Sequence, residues 1–459
     1  MNKDRLTFTL MDLGYKKAGP VQIYDERTCF DKVDENDDLV VIPFPTQLAI
    51  VTHSLMLKGK KHGEIYQSKA KELIDAWTNS VLLSKVDIDC SVACEPMSPF
   101  QRSLFDDLND IPFPGPANPK FTFIDLFAGI GGFRMAFQNL GGQCVFSSEW
   151  DAQAQKTYFA NYGEVPFGDI TSEHTKQYIP DNFDILCAGF PCQAFSLAGK
   201  RLGFEETRGT LFFDVAEILR RKQPKAFFLE NVKGLAIHDK GKTLKTILNT
   251  LDEIGYTVIP PQIVNAMYFG VPQHRERIYI VGFRKDLGIN PKDFSYPEQK
   301  EVTKHFIDIR EKDPVPSKYY LSTTYVDTLI RHKERHASKG NGFGYAIVGD
   351  NEVANAIVVG GMGRERNIVI DTRQKDLTPT TRIKGEYNKN GWRRMTPREW
   401  GALQGYPVYD NGDGAPVFQI PVADASAYKQ FGNSVAVPAI QATAKQLLSV
   451  LSDKKILSL

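Results

Sequence analysis

Phe121-Thr122-Phe123-Ile124-Asp125-Leu126-Phe127-Ala128-Gly129-Ile130-Gly131-Gly132 decides how this chain is read. Its first half is an apolar run of strand type, and its second half is a glycine turn. Residues 133–140 have helical spacing, and Gly141-Gly142 stops the helix. Cys144-Val145-Phe146-Ser147-Ser148 is a second strand, with Glu149 at its end. Strand, glycine turn, helix, strand and acid form the layout of a nucleoside-binding βαβ unit. The glycines let a ligand approach the backbone, and the acid bonds ribose hydroxyls. Trp150 offers an aromatic face for an adenine. Asp169-Ile170 supplies a second acid with an apolar neighbour, suited to an adenine's edge and face. Asp169 also reads as a helix N-cap, and both readings stand at this point.

The same rhythm continues downstream. Phe183-Asp184-Ile185-Leu186-Cys187-Ala188 is a buried parallel strand, ended by the turn Gly189-Phe190-Pro191. Cys192 follows that strand's C-terminal end, where open α/β sheets place their ligands. A thiol there is a candidate nucleophile. For a lone cysteine the ordinary buried thiol is the commoner reading, so the surroundings have to decide. Residues 211–221 read as a helix, and Ala226-Phe227-Phe228-Leu229 as a strand with Glu230-Asn231-Val232 at its end. Residues 243–254 read as a helix, and Ile278-Tyr279-Ile280-Val281-Gly282-Phe283 as a strand. Alternation of this kind predicts a doubly wound, mostly parallel α/β sheet. Cys192, Glu230, the Gly129 turn and Glu149 then lie on one rim, around one crevice.

The chain has 459 residues, 42% hydrophobic and 24% charged, with room for two or three domains. No apolar run is long enough to span a bilayer, and no signal-peptide core follows the N-terminal Met-Asn-Lys-Asp-Arg. Six cysteines (Cys29, Cys90, Cys94, Cys144, Cys187, Cys192) show no disulfide or zinc rhythm. These features predict a cytoplasmic protein, with no membrane and no structural metal. Net charge is only +1, but it is unevenly spread. Residues 318–399 hold 15 Lys and Arg against 9 Asp and Glu, whereas residues 1–118 hold 13 against 18. One local polyanion-binding face fits this distribution, as does an uneven solvated surface.

Residues 1–104 read as an accessory region without a chemical motif. It includes an acidic run from Asp34 to Asp38, a short strand over 39–43 and helical spacing over 49–57 and 68–83. Its expected role is contact with a partner or with DNA, and its acidic balance disfavours direct phosphate binding. Residues 105–120, with Pro112, Pro114, Pro116 and Pro119, read as a stiff linker. Residues 121–286 read as the catalytic and ligand-binding domain. Residues 287–392 lose the α/β rhythm. They carry Gly340-Asn341-Gly342-Phe343-Gly344-Tyr345, Gly360-Gly361-Met362-Gly363-Arg364-Glu365-Arg366, and basic residues around Arg382, Lys384, Arg393 and Arg394. Glycine, aromatics and arginine in loops suit a DNA groove. Residues 393–459 return to helices, with Pro397 at a first helical position.

Taken in order, Asp125-Leu126-Phe127-Ala128-Gly129-Ile130-Gly131-Gly132-Phe133-Arg134, Gly189-Phe190-Pro191-Cys192-Gln193-Ala194-Phe195-Ser196, Glu230-Asn231-Val232, Gln273-His274-Arg275-Glu276-Arg277, Arg393-Arg394-Met395-Thr396-Pro397-Arg398-Glu399-Trp400-Gly401-Ala402-Leu403-Gln404-Gly405-Tyr406-Pro407 and Gln430-Phe431-Gly432-Asn433-Ser434-Val435 resemble the motifs of the DNA (cytosine-5)-methyltransferase family. The likeness spans residues 121–451, and the compact arrangement is similar to the bacterial restriction–modification type. The resemblance implies an α/β, doubly wound, Rossmann-like sheet that uses S-adenosyl-L-methionine. A smaller, irregular, β-rich target-recognition domain (287–392) and the N-terminal accessory region accompany it.

The resemblance also implies residue roles. Phe127, Gly129, Ile130, Glu149, Trp150, Asp169, Ile170, Pro191, Leu211, Asn433 and Val435 match cofactor-binding positions. Cys192 matches the nucleophile, and Glu230, Arg275 and Arg277 match residues around the target base. The implied partner is double-stranded DNA, bound by a monomer, with a cognate restriction endonuclease acting on the same sequence. Residues 199–209, with Lys200, Arg201 and Arg208, read as a loop closing over the flipped base. The rival readings are an RNA cytosine methyltransferase and a non-catalytic DNA-binding regulator on the same fold.

Overall fold

The computed structural model describes residues 30–32, 39–85, 111–191, 211–342, 344–360, 363–376 and 385–458. Several residues singled out above lie outside the described residues: Asp34, Asp38, Cys192, the segment 199–209, Phe343, Gly361, Met362, Arg382 and Lys384. The chain divides into two compact units. Unit 1 is Met1–Gly115 with Val145–Asp181, and unit 2 is Pro116–Cys144 with Asn182–Leu459. The stretch 145–181, expected within the catalytic domain, therefore clusters with the N-terminal residues.

In unit 1, β1 (Phe30–Lys32) and β2 (Leu39–Val41) pair antiparallel. The helix Phe44–Met56 follows, with Pro45 in its first turn, where a missing N–H costs nothing. A longer helix, Glu64–Lys85, packs against it. Both helices start before the positions that the apolar spacing marks. Helix Ala152–Tyr162 is capped by Asp151, whose carboxylate accepts from the Gln153 and Ala154 amides, and Gly163 ends it at φ 71°. Part of the expected linker is packed rather than free. Phe113 N–H donates to Asn161 O at 3.0 Å, and its ring lies 6.2 Å from that of Tyr162.

Unit 2 is built on β3 (Phe121–Leu126), β5 (Ile185–Gly189), β6 (Ala226–Val232), β7 (Tyr256–Val258), β8 (Gln262–Asn265) and β10 (Glu276–Arg284). The strand β4 (Gly142–Ser148) begins in this unit, and its residues from Val145 onward belong to the other. Within the unit the order is β3-β5-β6-β10-β7, with β8 also pairing β10. β3, β5 and β6 run parallel, whereas β10 runs antiparallel to β6, β7 and β8. The helix Leu211–Lys222 joins β5 to β6, and Lys242–Glu253 leads into β7. Phe123, Ile124, Ile185, Leu186, Phe227, Phe228, Ile280 and Val281 are fully buried. Parallel strands covered on both faces are expected to show such continuous apolar runs.

Residues 287–392 are irregular, as expected, and their strands are very short. β11 (Ala354–Asn355) pairs in parallel with β9 (Gln273–His274), and β12 (Ile368–Ile370) pairs with β13 (Trp392–Arg394). They also contain a 15-residue helix, Thr323–Ala337, capped by the Ser322 hydroxyl. Val326 and Leu329 anchor that helix on Leu321, Ile368 and Trp392. Among the described residues no helix is long and apolar enough to cross a membrane.

Candidate active site

β6 delivers a carboxylate to the rim of unit 2. Its register sets Glu230 opposite Gly189 of β5 on one side and Tyr279 of β10 on the other. Arg277 lies two residues from Tyr279 on β10, so both project from one face. Its Nε sits 3.1 Å from Glu230 Oε1. Glu230 is buried, and burial pushes its pKa up, against the opposing charges of Arg277 and Arg275 and the Arg277 hydrogen bond. Asn231 fixes the neighbouring turn. Its Nδ2 donates to Phe190 O at 2.8 Å, and its Oδ1 accepts from Val232 N–H at 2.8 Å. The peptide entering Pro191 is thereby tied to the strand that carries Glu230.

Arg275, two residues before Arg277, is turned to the main chain. Its guanidinium donates to three backbone carbonyls: Ile357 O (3.1 Å), Gly432 O (3.3 Å) and Ser434 O (2.6 Å). Burial and the nearby Arg277 charge lower its pKa to about 9. Arg275 is thus a strut holding the Gly432–Val435 segment. Arg277 is the arginine that holds the acid.

The glycine turn after β3 is closed by that same C-terminal segment. Phe127 is held at φ 55°, Gly129 at 55° and Gly131 at 82°. A bulky residue in the left-handed region is uncommon and costs roughly 1–3 kcal/mol. A Cβ built at Gly129 meets nothing within 4 Å, so the turn leaves an open backbone cradle. At Gly132 a Cβ would lie 2.6 Å from Val435 Cγ2 and 2.9 Å from the Tyr406 hydroxyl. Val435 also lies 3.8 Å from a Cβ built at Gly189, which in turn lies 3.7 Å from Glu230 Oε2. Gly132, Gly189, Glu230 and Val435 therefore meet in one place. Gly132→Ala is expected to destabilise the fold by about 1–3 kcal/mol through overpacking. Urea unfolding monitored by fluorescence checks this, and an unchanged midpoint refutes it. Ile130 is buried, Pro191 and Asn433 are exposed, and Leu211 opens its helix half-buried.

Glu149, Trp150, Asp169 and Ile170 belong to unit 1 and are brought together there. Glu149 N–H donates to Phe167 O at 2.7 Å, and Glu149 Oε1 accepts from Asp151 N–H at 2.8 Å. Trp150 is 78% exposed, an unusual state for a large aromatic and a ready stacking face. Asp169 is exposed and Ile170 is buried. The N-cap reading of Asp169 does not hold. Its Oδ1 accepts from Thr171 N–H at 2.9 Å in a turn, and Ser172 occupies the N-cap of the helix Glu173–Lys176. In unit 2 the open glycine turn lets a ligand approach the backbone, and in unit 1 the exposed indole beside the acid that follows β4 suits a nucleoside.

The family described as C-5 cytosine-specific DNA methylase matches residues 121–449. The chain belongs to that family. The type II methyltransferase M.HpaII of Haemophilus parainfluenzae is 70% identical over 335 residues, covering 73% of this chain and 91% of that protein. M.HhaI of Haemophilus parahaemolyticus is 40% identical over 339 residues, covering 72% of this chain and 95% of that one. A crystal structure of Schizosaccharomyces pombe Dnmt2 methyltransferase shares the fold at TM-score 0.51 and 18% identity, over 72% of this chain and 99% of that one.

Family membership makes the chain a DNA cytosine-5 methyltransferase of the restriction–modification kind. It also implies S-adenosylmethionine as methyl donor. Several cations counted above as candidate DNA contacts are spent inside this methylase. Arg393 is fully buried against Glu399 and Asp371, and Arg394 is paired with Glu365 at 2.8 Å. Charge counted along a sequence cannot separate a buried ion pair from an exposed arginine. Three residues of the quoted motifs carry support for which no role was legible in sequence. Gln404 Nε2 donates to Phe431 O (2.7 Å) and Ser434 O (3.1 Å), and Tyr406 and Ser434 share a 2.7 Å hydroxyl contact. Their signal in sequence was a place inside those motifs, which names no partner.

Proposed function

We propose that the chain moves a methyl group from S-adenosylmethionine to carbon 5 of a cytosine turned out of double-stranded DNA, with Cys192 as nucleophile. The observation that carries this is Glu230, buried and held by Arg277, in register with the Gly189 that opens the Cys192 turn. Bound S-adenosylmethionine supplies an electrophilic methyl group on a sulfonium. Phe127, Gly129 and Ile130 of the turn, with Val435 behind it, would hold it. Glu149 would bond the ribose, Trp150 would stack on the adenine, and Asp169 with Ile170 would meet its edge and face.

Carbon 5 of cytosine is a poor nucleophile. A Cys192 thiolate bonding to carbon 6 would break the double bond between carbons 5 and 6 and put its electron pair on carbon 5, which would take the methyl group as the methyl–sulfur bond breaks and S-adenosylhomocysteine leaves. A protonated Glu230 donates to ring N3 and accepts from the exocyclic amine, so charge developing on the ring is met by a proton. Arg277 orients that carboxyl group. Water then removes the carbon-5 proton, and the returning electron pair expels the Cys192 thiolate. Extruding the base costs roughly a few kcal/mol, and we assign closure over it to residues 199–209.

We assign sequence reading to residues 287–392, and we read the methylase as a cytoplasmic monomer on DNA, paired with an endonuclease of the same specificity. Single-base mapping of DNA treated with the protein and S-adenosylmethionine tests the whole reading. The expected result is 5-methylcytosine at one short motif. Label in RNA instead of DNA, or none with a folded protein, overturns it.

A further inference from the structure

We infer that the N-terminal helices Phe44–Met56 and Glu64–Lys85 are a scaffold that positions the acids Glu149 and Asp169. This inference rests on reading those two acids as cofactor residues. It gives the region before residue 86 a role inside the methyl-transfer machinery, in place of contact with DNA or a partner.

Phe167 is the pivot. Its N–H donates to Ser147 O at 2.8 Å, and its O accepts from Glu149 N–H at 2.7 Å. One residue therefore clamps the chain on both sides of Ser148, setting Glu149 directly and Asp169 two residues later. The Phe167 ring is fully buried and stacks on Phe146 (5.0 Å, 14°) and on Tyr178 (5.0 Å, 18°). The N-terminal helices complete this stack. His53 brings its ring to 4.9 Å from Phe167, and Tyr66 to 5.9 Å.

Polar contacts fix the register of the packing. The Tyr66 hydroxyl lies 3.0 Å from both Val145 O and Tyr178 O, so it joins the start of the clamped segment to the element behind it. Val165 N–H donates to Thr52 Oγ1 at 3.0 Å, while that hydroxyl donates to Leu48 O at 2.8 Å. His53 and Glu164, both fully buried, face each other at 3.5 Å. Apolar packing alone would let residues 164–167 slide. Directional bonds from Thr52 and Tyr66 prevent it, and each is made to backbone, where no side-chain change on 145–181 replaces it.

Such a scaffold acts on cofactor affinity and leaves the methyl-transfer step alone. A small displacement of Glu149 or Asp169 weakens the grip on ribose and adenine, whereas Cys192 and Glu230 belong to unit 2. Thr52→Val keeps the shape of the side chain and removes the acceptor for Val165 N–H. In the full-length protein it is expected to raise KM for S-adenosylmethionine about tenfold, with kcat and KM for DNA within about twofold. Thr52→Ser restores the hydroxyl and is expected to restore KM. Tyr66→Phe is expected to shift KM in the same direction as Thr52→Val, and it carries the test if Thr52→Val fails to fold.

Glu149→Gln is measured alongside, by calorimetric titration with S-adenosylmethionine. If Glu149→Gln weakens binding while both helix variants keep the parental KM, the scaffold is wrong and the cofactor reading survives. If Glu149→Gln binds like the parent, the cofactor reading fails and the scaffold with it. If the helix variants lower kcat and DNA affinity as much as cofactor affinity, their role is general stability, and the proposal is overturned.

Discussion

Exchanging Cys192 for serine is expected to abolish methyl transfer, and exchanging Glu230 for glutamine to lower kcat by about 10²–10⁴-fold. Serine's alkoxide is inaccessible near neutral pH, so the addition to carbon 6 does not start. Glutamine keeps the shape of Glu230, its contact with the exocyclic amine and its place on β6. It cannot lend a proton to ring N3. KM for S-adenosylmethionine is expected to stay within about twofold, because Glu230 is assigned to the base and not to the cofactor. Burial raises the Glu230 pKa more than Arg277 and Arg275 lower it. The carboxyl group therefore keeps its proton at pH values where an exposed glutamate has lost it. The sign follows: kcat of the parent falls as pH rises through the raised pKa, and Glu230→Gln loses that limb. Stability runs the same way. The neutral form is the one favoured by folding, so the contribution is complete at low pH and is lost as pH rises through the folded-state pKa. Single-turnover rates across pH test the pair. A Glu230→Gln protein with parental kcat, or an unchanged basic limb, removes Glu230 from the chemistry.

How much of this was legible in sequence depends on how local each cause is. The strand and glycine turn from Phe121 to Gly132, the ends of β5 and β6, and the helices beside them obey short-range rules, and the structure has them within a few residues of their expected bounds. The helix Thr323–Ala337 escaped because its core face is thin. Val326 and Leu329 are its buried residues, and Arg331-His332-Lys333-Glu334-Arg335-His336 reads as a polar loop. The roles of Arg275 and Arg277 could be separated only in three dimensions. Both sit in one motif two residues apart, yet one guanidinium turns to the carbonyls at 357, 432 and 434 and the other to Glu230. The membership of 145–181 in unit 1 was the least legible feature. Tyr66 reaches carbonyls 79 and 112 residues away, and no periodicity encodes such a bond.

Arg393→Met is expected to be the most destabilising single change outside the site. Arg393 is fully buried in the middle of β13. Its Nη1 and Nη2 grip Glu399 Oε2 and Oε1 at 2.7 and 2.8 Å, and its Nε meets Asp371 Oδ2 at 3.1 Å. Glu399 also caps the helix Pro397–Leu403, accepting from Thr396 N–H at 2.8 Å. Methionine fills the space but leaves Glu399 a buried carboxylate without its cation. Breaking such a pair costs about 3–5 kcal/mol. Lysine does not rescue it, because a point charge cannot make the bidentate grip. Burial alone would raise the Asp371 pKa, but hydrogen bonds from Arg373 and the charges of Arg393 and Arg310 hold it well below the usual carboxylate range. Asp371 therefore stabilises the fold at pH above its unfolded value of about 4, and this is lost as pH falls through the folded-state value. Removing Arg393 raises that folded-state pKa, so the stability difference between parent and variant is expected to shrink toward acid. Urea unfolding at pH 7 and pH 4 measures both halves. A variant within about 1 kcal/mol of the parent at pH 7 would mean that the network is neutral on balance, as some buried ion pairs are when well-packed apolar groups replace them.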